Sequence, residues 1–522
     1  MDGESSAFAA DAPGQGLNQT FDLLVIGGGI NGCGIARDAA GRGLRVLLVE
    51  QDDLASATSQ WSSKLIHGGL RYLEYYEFRL VAESLAEREV LLRAAPHLIQ
   101  PLEFVIPHEP HLRPRWMIRA GLFLYDMLGG GKSMPASKSV DLSGFPYGAG
   151  LKPAYTKGFS YFDARADDAR LTMLNARGAA DLGATIQTRT RFTAAKVVDG
   201  RWCATLENVA THAVREISAN AIVNAAGPWV MRVLGGIKGV KPSAERVKHI
   251  KGSHIVVPRV HPGEHAYLLQ NRDKRIVFVI PFHEKFTLIG TTDIAVEAWD
   301  KPAISDQEIT YLCAIASEYL DQPVTPADVV WSYSGVRPLY DDGQSNASAI
   351  TRDYTLKLDT SAGAPLLNVY GGKLTTYRKL AEQALEKLAP HFSAHFASLK
   401  PAWTHLKPLP GGDFSCGLAQ LIAETATAYS FLPPEHVAPI SRRHGTLAVA
   451  WLGGARRIED LGEHFGAGLY AAEVEHMMAS EWALTAEDVL MRRSKCGLVM
   501  TELQKARVIE FVSEFISRGA VV

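Results

Sequence analysis

Three glycines and one carboxylate are spaced to hold a pyrophosphate and a ribose. Gly27-x-Gly29-x-x-Gly32 follows the apolar run Leu23 to Ile26, and a second apolar run, Arg45 to Val49, ends in Glu50. Gly27 permits a tight turn, Gly29 lets the backbone approach phosphate, and Gly32 lets the next helix pack against the strand. The N-terminus of that helix favours the phosphate charge. Glu50 stands 21 residues after Gly29, where a carboxylate accepts hydrogen bonds from ribose hydroxyls. The unit implies a dinucleotide without saying which.

A second glycine cluster narrows the choice. Asn224-Ala-Ala-Gly227-Pro-Trp229 follows a strand-like run, and Gly371-Gly-Lys-Leu-Thr-Thr-Tyr377 opens a helix-like segment near 375–388. A nicotinamide enzyme seldom returns to its nucleotide so late in the chain. A flavin lies extended, and late segments can hold its ring. Backbone N–H groups at a helix start suit the edge of the flavin that gains negative charge on reduction.

These residues need a scaffold, and the remaining pattern supplies one. Residues 74–95 read as a helix. Residues 185–225 alternate as strands, and Ser253 to Val257, Arg275 to Ile280 and Phe286 to Ile289 are further strand-like runs. Pro401, Pro408, Pro410 and Gly411-Gly412 mark a linker, after which 415–430, 468–482 and 498–518 carry helical periodicity. The expected architecture is α/β. A Rossmann-like FAD-binding domain is interleaved with a mixed-sheet substrate domain over 21–400, and a helical domain follows over 410–522.

Composition narrows the classes of partner. The chain has 522 residues, 47% hydrophobic and 21% charged, with a formal net charge of −2. That balance offers no global attraction to nucleic acid or acidic lipid. Five cysteines lack CxxC spacing, which points to a reducing compartment, no disulfide framework and no zinc site. Residues 1–20 lack the features of a secretory signal and read as a disordered extension. No run of eighteen apolar residues offers a transmembrane helix.

Seven motifs, in order, make the chain resemble the FAD-dependent (respiratory) glycerol-3-phosphate dehydrogenases of the bacterial aerobic form. The first is Ile-Gly-Gly-Gly-Ile-Asn-Gly, followed by Ser-Ser-Lys-Leu-Ile-His-Gly-Gly-Leu-Arg-Tyr-Leu (62–73) and Ile-Lys-Gly-Ser-His-Ile-Val-Val-Pro (250–258). Gly-Thr-Thr-Asp (290–293), Tyr-Ser-Gly-Val-Arg-Pro-Leu (333–339), Thr-Arg-Asp-Tyr (351–354) and Gly-Gly-Lys-Leu-Thr-Thr-Tyr-Arg (371–378) complete the set. The resemblance runs from about residue 21 to the C-terminus. The EF-hand-type loop of the mitochondrial relatives has no counterpart here, so no calcium control is expected.

The resemblance implies oxidation of sn-glycerol 3-phosphate to dihydroxyacetone phosphate by FAD, with ubiquinone as electron acceptor. It assigns FAD to Gly27, Gly29, Asn31, Gly32, Glu50, Thr58, Ser59, Ser62, Lys64, His67, Gly227, Gly335, Gly372, Leu374 and Thr375. It assigns the phosphate substrate to Arg337 and Arg352, with Tyr72 and Lys373 as further contacts. A guanidinium grips a phosphate with two hydrogen bonds, although an Arg before a Pro, read alone, is more often a surface ion-pair partner. Hydride loss from the substrate carbon requires a base or a stabilising cation for the hydroxyl proton. His67 is the first candidate, with His254 and Lys251 as rivals. No metal is expected.

Residues 108–128 place Arg113, Arg115 and Arg119 beside Trp116, Met117, Leu122, Phe123 and Leu124. Read with the resemblance, this segment is an interfacial helix on an anionic bilayer, holding the protein peripherally at the cytoplasmic face of the inner membrane. A homodimer is left open. Gly129 to Ser133 imitates a phosphate-binding loop, but Asp126 stands where the pattern needs Gly. The alternatives are an oxygen-using soluble oxidase, an amine oxidase of the same fold and a non-catalytic flavoprotein.

Overall fold

Uninterrupted runs of Leu, Val and Ile form strands buried on both faces of a largely parallel sheet. Thr20–Ile26 and Val46–Val49 pair in parallel, Leu23 beside Val46 and Ile26 beside Val49. The helix Ile30–Gly41 connects them. The structure is a computed structural model that describes residues 19–110, 112–130, 133–241, 246–273, 275–341, 353–392 and 400–519. Most of the expected N-terminal extension, and Arg352, lie outside the described residues.

The first sheet runs in the order Thr355–Asp359, Leu366–Tyr370, Val214–Asn224, Thr20–Ile26, Val46–Val49 and Thr185–Gln187. The hairpin of Thr190–Val198 and Arg201–Asn208 extends it from Val214–Asn224. The helices Ile30–Gly41, Asp168–Asp181 and Tyr377–Leu388 share one core with this sheet. Small residues bring them close. A Cβ on Gly34 would lie 2.7 Å from the Tyr377 ring, and one on Gly41 would lie 2.0 Å from Trp403.

The second sheet is mixed. Val247–Pro258 pairs on one side with Trp331–Tyr340 and on the other with Phe286–Gly290 and Ile294–Ala295. The order continues through Ile276–Phe282, Ala266–Gln270, Ile99–Pro107, Lys157–Ala166 and Leu65–Ile66. The chain leaves the first sheet after residue 49, builds part of the second, returns over 185–224, leaves again and returns at 355–370. Segments far apart in sequence therefore meet where the two sheets adjoin.

The helix expected over 74–95 begins only at Phe78 and ends at Ala94. Leu70–Tyr75 forms a 3-10 turn bounded by Gly69 and Tyr76, both in the left-handed region, and Tyr76 stops the helix from extending backward. Beyond the linker, the helices Leu418–Ala428, Pro434–His444, Ala471–Ser480 and Glu502–Ser517 follow. They sit on the nucleotide-binding part through buried ion pairs. Arg492 and Arg493 lie 2.5 and 2.7 Å from Asp53, and Arg170 lies 2.6 Å from Glu481.

Candidate functional site

The glycine turn is built for close approach. Gly27 has φ +112°, and a Cβ there would lie 2.7 Å from the Ala225 carbonyl. A Cβ on Gly32 would lie 1.9 Å from the carbonyl oxygen of Gly27. Gly29 caps the following helix without a side-chain hydrogen bond, and the Ile30 N–H donates to Ser59 Oγ at 2.9 Å. The late segment returns to this turn. Asn31 Nδ2 donates to the Gly371 carbonyl at 3.1 Å, while its Oδ1 is buried without a partner. Gly372, at φ +100°, passes so close that a Cβ would lie 2.7 Å from Asn31 Nδ2.

Glu50 ends its strand beside the turn. Its carboxylate accepts from the N–H groups of Gly28 at 2.7 Å and Asp52 at 2.9 Å. Burial pushes this carboxyl up to about 7. The orphaned Asn31 oxygen, the helix start capped by a glycine and the glycine cradle together fit a dinucleotide. Gly27, Gly29, Asn31, Gly32, Glu50, Ser59, Gly372, Leu374 and Thr375 are the residues that would hold it.

Other expected cofactor residues do structural tasks at the edge of this cradle. Ser62 Oγ donates to Asp168 at 2.7 Å, and Lys64 Nζ lies 2.8 Å from the same carboxylate. Burial lowers the Lys64 ammonium while Asp168 opposes that shift. Thr58 Oγ1 donates to the Val336 carbonyl at 2.7 Å. Gly335 lets that strand pass Trp61, whose carbonyl oxygen would be 2.8 Å from a Cβ. Gly227, at φ +55°, turns the chain after Val214–Asn224.

A pocket opens beside the late segment, lined by His67, Arg71, Tyr72, Arg275, Thr291 and Arg337 among others. The backbone N–H of His67 donates to Thr375 Oγ1 at 3.2 Å, which ties the pocket to the cofactor cradle across 308 residues of chain. The His67 ring meets Phe278 edge-on at 6.4 Å. Arg337 Nη1 donates to Asp293 at 2.9 Å, and Gly252 makes room for the guanidinium, since a Cβ there would lie 2.7 Å from Nη2. Lys373 Nζ sits 4.0 Å over the ring of Tyr72. Arg337, Tyr72 and His67 thus line one pocket, and Lys373 adjoins it through Tyr72 without lining it.

The two rivals of His67 are placed differently. His254 is buried, stacks on Tyr333 and lies 2.9 Å from Ser63 Oγ through Nε2. Burial, then Arg337 and Lys64, hold it well below the usual imidazole range, so it stays neutral. Lys251 is paired with Glu308 at 2.8 Å and donates to the Ala303 carbonyl. Neither lines the pocket. Sequence reasoning missed Arg71, Arg275 and Asp293 as pocket residues. Arg71 stood inside a quoted motif, between Gly69 and Tyr72, and Asp293 closed another, but neither spacing shows where a side chain points.

The basic-apolar segment folds as the helix Arg115–Leu128, with only Leu122 and Tyr125 buried. The described residues before it, His108 to Pro110 and Leu112 to Pro114, are not helical, and prolines interrupt them; His111 lies outside the described residues. Trp116 is 70% exposed, Phe123 57% and Met127 63%. The helix packs on the turn Leu70–Tyr75, which also carries exposed Tyr75 and adjoins exposed Tyr76. No helix among the described residues is long and apolar enough to cross a membrane.

Residues 22–378 match the family described as FAD dependent oxidoreductase. Residues 402–517 match the C-terminal domain of alpha-glycerophosphate oxidase. The chain is 50% identical to the D-erythritol 1-phosphate dehydrogenase of Brucella abortus, covering 94% of this chain and 98% of that one. It is 51% identical to a glycerol-3-phosphate dehydrogenase of Pseudomonas aeruginosa, covering 96% and 97%. The FAD complex of the glycerol-3-phosphate dehydrogenase from Bacillus halodurans superposes with a TM-score of 0.72 at 26% identity, covering 96% and 95%.

Proposed function

The chain belongs to the FAD-dependent oxidoreductase family, and from that premise we propose that it oxidises sn-glycerol 3-phosphate to dihydroxyacetone phosphate and delivers the electrons to ubiquinone. The observation that carries this reading is the pocket itself, where Arg71, Arg275 and Arg337 converge with His67 on a segment tied to the cofactor cradle. Three guanidinium groups suit a dianionic phosphate and oppose the neutral substrate of an amine oxidase.

When bound, FAD supplies the acceptor for the hydride leaving the substrate carbon. Arg337, oriented by Asp293, grips the phosphate, with Arg71 beside it. Tyr72 and Lys373 hold the polyol end. His67 takes the hydroxyl proton as a neutral imidazole. Arg352 remains a proposed second phosphate ligand. His67→Ala should slow anaerobic flavin reduction by roughly 10²- to 10⁴-fold; an unchanged rate with full flavin content removes it as the base.

The test of the whole reading is an anaerobic absorbance spectrum before and after adding sn-glycerol 3-phosphate. Bleaching of the flavin band near 450 nm (about the usual position) is expected. A band that does not bleach rejects the substrate. A D-erythritol 1-phosphate reading is favoured by the Brucella abortus relative that carries that name; kcat/KM for the two phosphates decides between them. Peroxide accumulation in air would favour the oxidase alternative.

The exposed Trp116, Phe123 and Met127, with Tyr75 and Tyr76, form the foot through which the protein meets the quinone-bearing bilayer, peripherally and from the cytoplasmic side. Co-sedimentation with anionic vesicles, lost in Trp116→Asp and Phe123→Asp, is the expected result. Binding that survives both changes would place the foot elsewhere.

A further inference from the structure

The helical domain holds a cluster that the oxidation does not use. His444 ends the helix Pro434–His444, His476 lies on Ala471–Ser480, and Glu481 caps that second helix. One ligand atom from each lies within 4.8 Å of the others. We propose that His444, His476 and Glu481 form a binding site for a single zinc-class divalent cation that clips the ends of these two helices together.

Hydrogen bonding fixes the direction in which His444 presents its lone pair. Its Nε2 lies 2.8 Å from Glu473 Oε1, and Glu473 is itself held by Arg443 at 2.8 and 3.0 Å. Glu473 lies between the Arg443 guanidinium and His444, so its oxygen accepts the proton that His444 carries on Nε2. The lone pair on Nδ1 then faces Glu481 Oε1 at 3.9 Å. Both atoms are buried without a hydrogen-bond partner. Two acceptors facing each other across this gap call for a cation or a donor between them.

His476 completes the site from the more open side, with Nε2 4.0 Å from Glu481 Oε1. The carboxylate–histidine contact from Glu473 is the outer-sphere arrangement that orients metal-bound imidazoles. Glu481 Oε2 is engaged by Arg170 at 2.6 Å, which offsets the carboxylate charge. A site so composed relies on imidazole nitrogen and therefore selects zinc over calcium or magnesium. Three protein ligands leave one position for water.

The test uses untagged, FAD-loaded protein stripped of metal and titrated with Zn(II) alone. One equivalent should bind, with a rise in Tm that His476→Ala abolishes. His476 lies nearer the surface than His444, so this variant should retain its FAD and its turnover. Glu473→Gln should weaken zinc affinity by about 10- to 100-fold. Absence of stoichiometric binding, or equal binding by His476→Ala, overturns the proposal. So does a zinc-soaked crystal showing only a water between His444 and Glu481.

Discussion

The glycine turn and the helical domain are anchored to the same sheet by opposite means. At the turn, backbone meets backbone. Gly27, Gly32 and Gly372 approach carbonyls and side chains at distances that exclude a Cβ, and the surrounding residues are apolar. The helical domain docks through charge. Asp53 is fully buried against Arg492 and Arg493, Glu481 against Arg170, and Asp167 pairs with Lys495 at 2.5 Å. The first kind of contact tolerates no added atom. The second tolerates shape changes but not the loss of one partner, because a lone buried charge has no water to replace it.

The turn should show the largest effect. Gly32→Ala places a methyl group against the Gly27 carbonyl, and the flavin-to-protein ratio of the purified variant should fall to near zero. A normal ratio would mean that the helix can retreat from the strand. Next comes Arg493→Ala, which removes one of the two guanidinium groups on buried Asp53 and leaves Arg492 alone to pair it. The cost should fall below the roughly 3–5 kcal/mol of a fully stranded buried charge, and calorimetry should show an early transition with the flavin still bound. A single, unshifted transition would show that charge does not hold the domain.

Acid should separate the two regions by a smaller margin. Neighbouring cations hold the buried Glu473 and Asp488 carboxyls down to about 2. Carboxyls depressed on folding contribute stability above their unfolded values near 4, and that stability is lost as pH falls toward 2. Each contributes on the order of 2–3 kcal/mol. The helical domain should therefore loosen first in an acid titration followed by hydrogen exchange. Earlier loss of protection in the strands Thr20–Ile26 and Val46–Val49 would contradict this. The smallest expected effect belongs to neither region. Arg337→Ala should raise KM for the phosphate substrate about 10- to 100-fold, the value of a charged hydrogen bond, while flavin content and Tm stay unchanged. An unchanged KM would sink the phosphate assignment.

How much was legible beforehand follows the same division. The strands around the glycine turn could be read because a buried parallel strand is an unbroken apolar run and its glycines stand at fixed offsets. The exposed face of the helix Arg115–Leu128 was expected from the resemblance, since composition alone also suits a core helix with a basic edge. The start of the helix at Phe78 could not, because the left-handed conformation of Tyr76 depends on the packing of the turn before it. His254 and Lys251 had the right residue types, but burial against Tyr333 and pairing with Glu308 placed them off the pocket.

Local order along the chain was enough to specify the dinucleotide-binding unit and the α/β class, while the phosphate and proton residues were assigned by the family resemblance of ordered motifs. The unit and its strands depend on spacing within a few tens of residues, and spacing is written in the chain. Only the folded arrangement brought His67 to Thr375, put Arg71 and Arg275 beside Arg337, paired Asp53 with Arg492 and Arg493, and set His444 opposite Glu481. The longest of these contacts join groups some 300 to 440 positions apart. No periodicity reports a contact of that range, because it is closed by packing across sheets and domains.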